Sequence, residues 1–234
     1  MRLGIMQPYI FPYIGYFQLV HSVDRFVMYD DVSYIKQGWI NRNKILLNGQ
    51  EHIFTVPLKN ASSFVTIANT ELNKPLYDIW CSKFLKTLTQ AYLKAPYYTA
   101  VNNLVSSILN CKHDTIGQLA SASIVDVSKY LGITTQFIAT ATCYDNNELK
   151  AQDRVIDICK REQATAYINP IGGKELYSKE DFAANGITLN FVKTHKITYS
   201  QLNNEFVPWL SMIDVLMFND TATIMGFLNA FDLE

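Results

Sequence analysis

The chain has 234 residues, 49% of them hydrophobic, and its 20 lysines and arginines are balanced by 21 aspartates and glutamates. A chain with this much apolar sequence buries a sizeable core, so the composition excludes intrinsic disorder as the main state. The net charge of −1 provides no overall attraction to nucleic acid or to an anionic membrane, so any anionic ligand must be bound locally.

The uncharged stretch Leu3–Val23 has the length of a signal peptide or a membrane span. Prolines and a glycine at Pro8, Pro12 and Gly15 interrupt it, and no small-x-small cleavage site follows. The four cysteines form no CxxC pair, which favours free thiols in a reducing compartment. We therefore expect a cytoplasmic protein without membrane insertion.

Hydrophobic periodicity predicts a strand, a loop, a helix and a second strand at the start of the chain. Leu3–Met6 is a short apolar strand, Ile14–Ser22 has the spacing of an amphipathic helix, and Arg25–Tyr29 is the second strand. Asn48-Gly49 follows between two further strand patterns, Lys44–Leu47 and His52–Pro57. This dipeptide is the strongest short-range signal for a β-hairpin.

The periodicity becomes helical in the middle of the chain. Pro96 separates a helix at Leu76–Leu93 from one at Tyr97–Leu109, and a third begins at Asp114-Thr115. These three helices form a predicted insertion near residues 74–131.

A second strand, helix, strand unit follows. Thr135–Ala139 and Ala166–Ile168 are predicted strands on either side of a helix at Lys150–Glu162. Two short helices, a strand at Thr188–Val192 and a helical tail from about Trp209 to Ala230 complete the chain.

These elements predict an α/β fold with a mainly parallel sheet of the nucleotidyltransferase or Rossmann-like type. We expect one domain over residues 1–234, with the β-hairpin inserted near residues 41–58 and the helices near residues 74–131.

Ligands of open α/β sheets bind where the strands end, so the loops that follow the strands hold the candidate residues. Gln7 follows the first strand, and Tyr13-x-Gly15-Tyr16 occupies the position of the His-x-Gly-His turn of nucleotidyltransferases. Tyrosine donates to phosphate oxygens but does not carry protons at neutral pH as histidine does. Gln7, Tyr13 and Tyr16 are candidate substrate contacts, and core packing is the alternative.

The loop after the second strand carries charges of both signs. Asp30 and Asp31 can receive an amine, share a proton or bind a metal, and an ordinary turn is the alternative. Lys36 completes the candidate catalytic set as a cation for an anionic partner. Aromatic and polar side chains on the same loop are suited to a sugar or nucleobase and its phosphates: Tyr34, Trp39, Asn41 and Arg42.

The loop after Ile168 contains Asn169, the pair Gly172-Gly173 and Lys174, which together suit a phosphate or carboxylate. No Walker loop, GxGxxG, GxSxG or HExxH pattern occurs, and no metal site is predicted.

Three polar residues elsewhere are predicted to have structural roles. Arg154 is expected with Asp153 at the solvated start of a helix, and the alternative is that the pair forms part of the site if the preceding strand end faces it. Ser211 is expected as a helix cap, and Asp214 as a buried hydrogen-bond acceptor.

The segments Ile5–Leu19, Tyr29–Val32 and Trp39–Asn43 resemble the WbqC-like protein family. The resemblance continues through further short segments: Val56–Leu58, Tyr167–Asn169, Gly173-Lys174, Tyr199-x-Gln201 and Leu210–Leu216. It implies a bacterial protein encoded with enzymes for O-antigen and other surface polysaccharides, often beside those for nucleotide-linked amino sugars.

The first hypothesis is therefore a transferase that places an acyl or aminoacyl group on the amine of a nucleotide-linked amino sugar. Asp30 or Asp31 orients the amine or takes its proton, an acyl or aminoacyl donor is required, and no metal is needed. The second is a nucleotidyltransferase or ligase that uses ATP and Mg²⁺. The third is a non-catalytic assembly protein of a polysaccharide pathway.

Overall fold

Apolar side chains alternate between the two faces of the central strands, so both faces need cover. In the computed structural model, which describes residues 1–202 and 205–234, Leu3, Ile5 and Val27 belong to one hydrophobic cluster. Phe26 and Met28 flank Val27 on the same strand, point to the opposite face of the sheet and belong to the second hydrophobic cluster. The sheet is therefore the middle layer between two helical layers.

Six strands form this sheet in the order β5-β2-β1-β6-β7-β8, and two more form a separate antiparallel hairpin, β3-β4. All neighbours in the large sheet are parallel except β7 and β8. The strands are β1 (Arg2–Met6), β2 (Arg25–Met28), β3 (Arg42–Leu47), β4 (Gln50–Thr55), β5 (Gln136–Ile138), β6 (Ala166–Pro170), β7 (Thr188–Thr194) and β8 (Phe231–Leu233).

The helices cover the two faces unequally. The α-helices are α1 (Ile14–His21), α2 (Lys74–Tyr92), α3 (Tyr98–Asn110), α4 (Ile116–Tyr130), α5 (Ala151–Arg161), α6 (Lys179–Ala184), α7 (Met212–Phe218) and α8 (Thr221–Leu228), with short 3₁₀ helices at Ala141–Tyr144 and Ile171–Leu176. Buried side chains of α5 and α6 cover one face, and those of the other α-helices and the hairpin form the larger cluster on the opposite face. None of the helices in the described ranges is long and apolar enough to cross a bilayer.

The predicted α/β class, the mainly parallel sheet, the hairpin and the three middle helices are confirmed. The prediction of one helical tail is wrong, because Asn219 adopts an extended conformation and Asp220 caps a new helix by accepting from Thr223 N. The three-residue strand β8 follows that helix and was not predicted, since a strand this short has no recognisable periodicity. Gly172 and Gly173 lie inside the 3₁₀ helix Ile171–Leu176, whereas the sequence predicts a helix that begins after them.

The strand order creates a switch point beside β1. The chain passes from β1 to β2 on one side and reaches β6 later on the other side. The loops after β2, β1 and β6 therefore leave from three adjacent strands at one edge, where α/β proteins bind ligands.

The loop after β1 runs through the interior. Ile10 and Phe11 are fully buried, so their backbone groups need partners within the protein. Asn43 Nδ2 donates to both carbonyl oxygens, at 3.1 and 2.8 Å. Ser211 Oγ also donates to Phe11 O, and Phe11 N donates to Ser123 Oγ. Side chains from three distant segments therefore hold this loop in place.

A buried carboxylate joins the helical layer to the hairpin. Asp214 accepts hydrogen bonds from Tyr92, Tyr199 and Gln201, which confirms its predicted role as a buried acceptor. Ser211 accepts from Ile213 N at the start of α7, as predicted for a cap. The Tyr92 hydroxyl also accepts from the backbone N of Leu46 in β3. Burial raises the pKa of Asp214, and the three donors oppose the rise.

Replacing Tyr92 by phenylalanine removes the hydroxyl that serves both Leu46 N and Asp214 Oδ1. Two buried polar groups then lack a partner, and we expect a loss of about 2–4 kcal/mol in the free energy of unfolding, measured with urea. Tyr98→Phe is the matched control, because its hydroxyl bonds to the part-buried Thr89 Oγ1. Equal losses in the two variants would contradict the role given to Tyr92.

Candidate active site

Two adjacent carboxylates lie just beyond the end of β2, and both are buried. Asp30 Oδ1 accepts hydrogen bonds from Thr140 Oγ1 at 2.7 Å and from Ala141 N at 3.1 Å, both just beyond β5. Burial raises the pKa of the Asp30 carboxyl, and these hydrogen bonds oppose the rise. Asp30 is therefore a better proton acceptor than an ordinary aspartate.

Asp31 forms a buried ion pair with Arg154 of α5. Their side chains are only 5% and 6% exposed, and Arg154 donates to Asp31 Oδ2. Asp31 Oδ1 is also buried, and no described residue donates a hydrogen bond to it. A desolvated carboxylate oxygen without a donor is costly, so it requires an explanation. Its lone pairs can accept an N–H or O–H group.

Further side chains hold Arg154 in position. Its Nε donates to Asn146 Oδ1, and Asn146 Nδ2 donates to Asp157 one turn along α5. The guanidinium also lies 4.9 Å from the centre of the Tyr29 ring. The prediction that Arg154 lies at a solvated helix start is wrong, because α5 packs this side of the helix onto the sheet next to β2.

An aromatic cavity of about 250 Å³ opens beside the loop after β1. The residues that line it are Tyr9, Pro12, Tyr13, Trp39, Asn43 and Trp209. Two cations lie over the Trp39 ring, with Arg42 Cζ at 5.6 Å and Lys44 Nζ at 5.8 Å from its centre. Both cations are only partly exposed, and Lys44 also pairs with Glu51 at 2.7 Å. Flat apolar rings beside cations suit a ring that carries phosphate groups.

Three of the predicted contacts are occupied within the protein. The Tyr16 side chain is buried and its hydroxyl donates to Gln7 O. Tyr34 is also buried and donates to Asn41 Oδ1, while Asn41 Nδ2 donates to Val56 O. These hydrogen bonds fix the loop before β3. Tyr13 and Trp39 differ, because both line the cavity.

The predicted residues after β6 lie close to one another. Asn169 is buried at the end of the strand, and a Cβ on Gly173 would lie 2.1 Å from its Nδ2, so a larger residue there would require the Asn169 side chain to move. A Cβ on Gly172 would meet no atom within 4 Å. Lys174 is exposed and pairs with Glu234 at 3.3 Å. Lys36 is exposed on the loop after β2.

Three residues of this region were not among the predicted contacts: Tyr9, Trp209 and Arg154. Tyr9 belongs to the same aromatic loop as Tyr13, so the sequence already indicated that Tyr9 could line the same site. Trp209 is brought to the cavity by a hydrogen bond from Ser211 N to Lys44 O in the hairpin, which no local pattern indicates.

Within residues 1–202 and 205–234, no three His, Cys, Asp or Glu side chains come together in a way that suits a metal ion. The fold defines an α/β protein with a mostly parallel sheet, and these groups are its candidate site. The chain belongs to the WbqC-like protein family, whose family model matches residues 7–225.

One relative is the uncharacterized protein Rv1507c of Mycobacterium tuberculosis, which is 26% identical over 231 residues, 97% of each chain. No solved structure matches the chain.

Replacing Arg154 by methionine leaves the Asp31 carboxylate buried without its cation. We expect a loss of about 3–5 kcal/mol in the free energy of unfolding, measured with urea. The double variant Asp31→Asn, Arg154→Met should recover part of this loss, because the uncompensated charge is gone. A double variant whose loss equals the sum of the two single losses would contradict the coupling.

The raised pKa of Asp30 predicts the sign of a pH effect. The unfolded chain loses this proton near 3.8 and the folded protein loses it at higher pH, so the contribution of Asp30 to stability falls as pH rises through that window. Asp30→Asn removes the titration, and its amide oxygen can still accept from Thr140 and Ala141.

We expect the free energy of unfolding of Asp30→Asn, relative to wild type, to rise as the pH increases above 3.8 in urea titrations. A difference that does not change with pH would contradict the raised pKa.

Proposed function

We propose that this protein transfers an acyl group, or an aminoacyl group, to the amine of a nucleotide-linked amino sugar. The observation that carries the proposal is Asp31 Oδ1, a buried carboxylate oxygen to which no described residue donates. An amine supplies N–H donors for this oxygen, and its position is then defined before reaction.

Asp31 and Asp30 take different parts in the proposed reaction. Arg154 pairs with Oδ2 of Asp31, and Asp31 orients the amine by accepting one N–H at Oδ1. Asp30, whose pKa is raised by burial, takes the proton that the nitrogen loses. The nitrogen forms a bond to the acyl carbon of a thioester donor, the carbon–sulfur bond breaks, and the thiolate leaves and takes up the proton from Asp30.

The rest of the acceptor is assigned to the aromatic cavity. Tyr13 and Trp39 stack against its sugar or base, and Arg42 and Lys44 bind its diphosphate. Lys36 lies on the same loop and adds positive charge. Gln7, at the end of β1, is retained as a polar contact. Tyr16, Tyr34 and Asn41 are left out, because their polar groups are already hydrogen-bonded in the interior.

The loop after β6 is assigned to the acyl carbonyl. The amides of Gly172 and Gly173 supply oxyanion donors, and Asn169 fixes the approach of Gly173. Lys174 binds the anionic part of the donor and gives up its ion pair with Glu234. This ion pair is exposed, so its loss costs little stability.

Membership of the WbqC-like family supports a place for this reaction in bacterial O-antigen or other surface polysaccharide synthesis, carried out in the cytoplasm. ATP and Mg²⁺ belong only to the alternative of nucleotidyl transfer. That alternative depends on the Tyr13-x-Gly15-Tyr16 turn, and the Tyr16 hydroxyl is occupied by Gln7 O.

The test combines UDP-, dTDP- and GDP-linked amino sugars with a panel of acyl and aminoacyl thioesters and follows product mass by liquid chromatography and mass spectrometry. We expect one pair of substrates to give the N-acylated sugar nucleotide. Asp30→Asn should lower kcat by about 10²-fold or more, since it removes the base. Asp126→Asn on the surface of α4 is the matched control and should leave the rate unchanged.

Trp39→Ala should raise KM for the sugar nucleotide with a smaller effect on kcat, because it removes a binding surface used equally before and during reaction. Absence of an acylated product with every pair would overturn the proposed function, and a full rate in folded Asp30→Asn would overturn the role of Asp30.

A further inference from the structure

A second cavity, of about 450 Å³, lies next to the aromatic cavity. Its walls include Ile14 of α1, Val215 of α7, and Phe206 and Leu210 from the segment between β7 and α7. A space of this size accepts a small organic ligand, and water inside it has few polar groups to bond with. The lining therefore favours an apolar occupant.

The two cavities share two of their walls. Tyr13 and Trp209 line both, and their ring centres are 5.9 Å apart. Trp209 is 68% exposed and its φ angle is 61°, a backbone conformation that bulky residues rarely adopt. The fold thus holds an exposed indole between the two cavities. This arrangement suits a protein that binds two substrates next to each other.

Lys196 is the one lysine, arginine, aspartate or glutamate among the described residues that line the larger cavity. Lys196 and His195 lie at its edge, and His195 pairs with Asp232 at 2.9 Å. Among the described residues that line the cavity, none is acidic. Asp214 lies behind this wall, and its Oδ2 is already bonded to the hydroxyl of Tyr199. Asp232 is paired with His195 and does not itself line the cavity. A cationic aminoacyl group would therefore meet no carboxylate in the lining, whereas an anionic donor would meet Lys196.

We infer that the larger cavity binds the acyl group of the donor, and that this group is an uncharged, apolar acyl chain carried on an anionic thioester. The inference rests on the proposed function and deepens it, because it chooses acyl over aminoacyl transfer. The acyl chain lies against Val215 and Leu210, the anionic carrier faces Lys196, and the acceptor occupies the neighbouring cavity beyond Tyr13 and Trp209.

The test is a binding measurement that does not depend on catalysis. Isothermal titration compares hexanoyl-CoA with 6-aminohexanoyl-CoA, which has the same chain length and a terminal ammonium, and with free CoA. We expect hexanoyl-CoA to bind at least tenfold more tightly than either. Free CoA has no acyl chain to bury, and the chain of 6-aminohexanoyl-CoA ends in a charged ammonium group.

Two substitutions assign the binding to this cavity. Trp209→Asn removes the indole while asparagine tolerates the positive φ, and it should weaken hexanoyl-CoA binding about tenfold or more. Leu93→Asn is the matched control, since Leu93 is 63% exposed just after α2, away from the cavity lining. Lys196→Met should weaken all three CoA ligands alike, whereas Lys160→Met on α5 should not.

The outcomes separate this inference from the proposed function. Equal affinities for hexanoyl-CoA and 6-aminohexanoyl-CoA, or loss of binding in Leu93→Asn as large as in Trp209→Asn, would overturn the inference even if an amino sugar is acylated. Preferential hexanoyl-CoA binding that Trp209→Asn abolishes, with no acylated sugar from any acceptor, would support the cavity assignment and overturn the proposed transfer. Trp39→Ala should leave hexanoyl-CoA binding unchanged, and a loss there would contradict two separate compartments.

Discussion

The structure depends on a loop that crosses its interior between β1 and α1. The backbone N–H and C=O groups of a buried loop must find partners within the protein, since unpaired ones are costly. Ile10 and Phe11 obtain theirs from Asn43 of the hairpin, Ser123 of α4 and Ser211 before α7. The hairpin, the middle helices and the C-terminal helices are thereby fixed around one segment, although they are far apart in the sequence.

Two further hydrogen bonds of the same segments position the walls of the two cavities. Pro12 O accepts from Met212 N, and Ser211 N donates to Lys44 O, so the start of α7 lies against both the loop and the hairpin. The rings of Tyr13 and Trp209 consequently pack against each other and form a wall shared by the two cavities. Strained backbone is retained here, with positive φ angles at Phe11 and Trp209. Strain of this kind persists where surrounding structure holds it, and it is common at ligand sites.

Burial also determines the properties of the carboxylates after β2. A buried ion pair such as Asp31 and Arg154 contributes less to stability than a pair of apolar side chains of similar size often would. The surrounding hydrogen bonds of Asn146 and Asp157 serve to hold the guanidinium at one oxygen of Asp31. The other oxygen is left as an acceptor in a desolvated setting, where a hydrogen bond to a ligand is strong.

Local patterns in the sequence determined the elements: Asn48-Gly49 the hairpin, alternating apolar runs the parallel strands, and Ser211 the start of α7. These features depend on residues within a few positions of one another. Only the tertiary structure decided which polar side chains meet, as with Arg154 and Asp31, which are 123 positions apart, or Tyr16 and Tyr34, whose hydroxyls turn inward. Periodicity indicates which face of a helix is apolar, but the partner of a polar group depends on how the helix packs on the sheet.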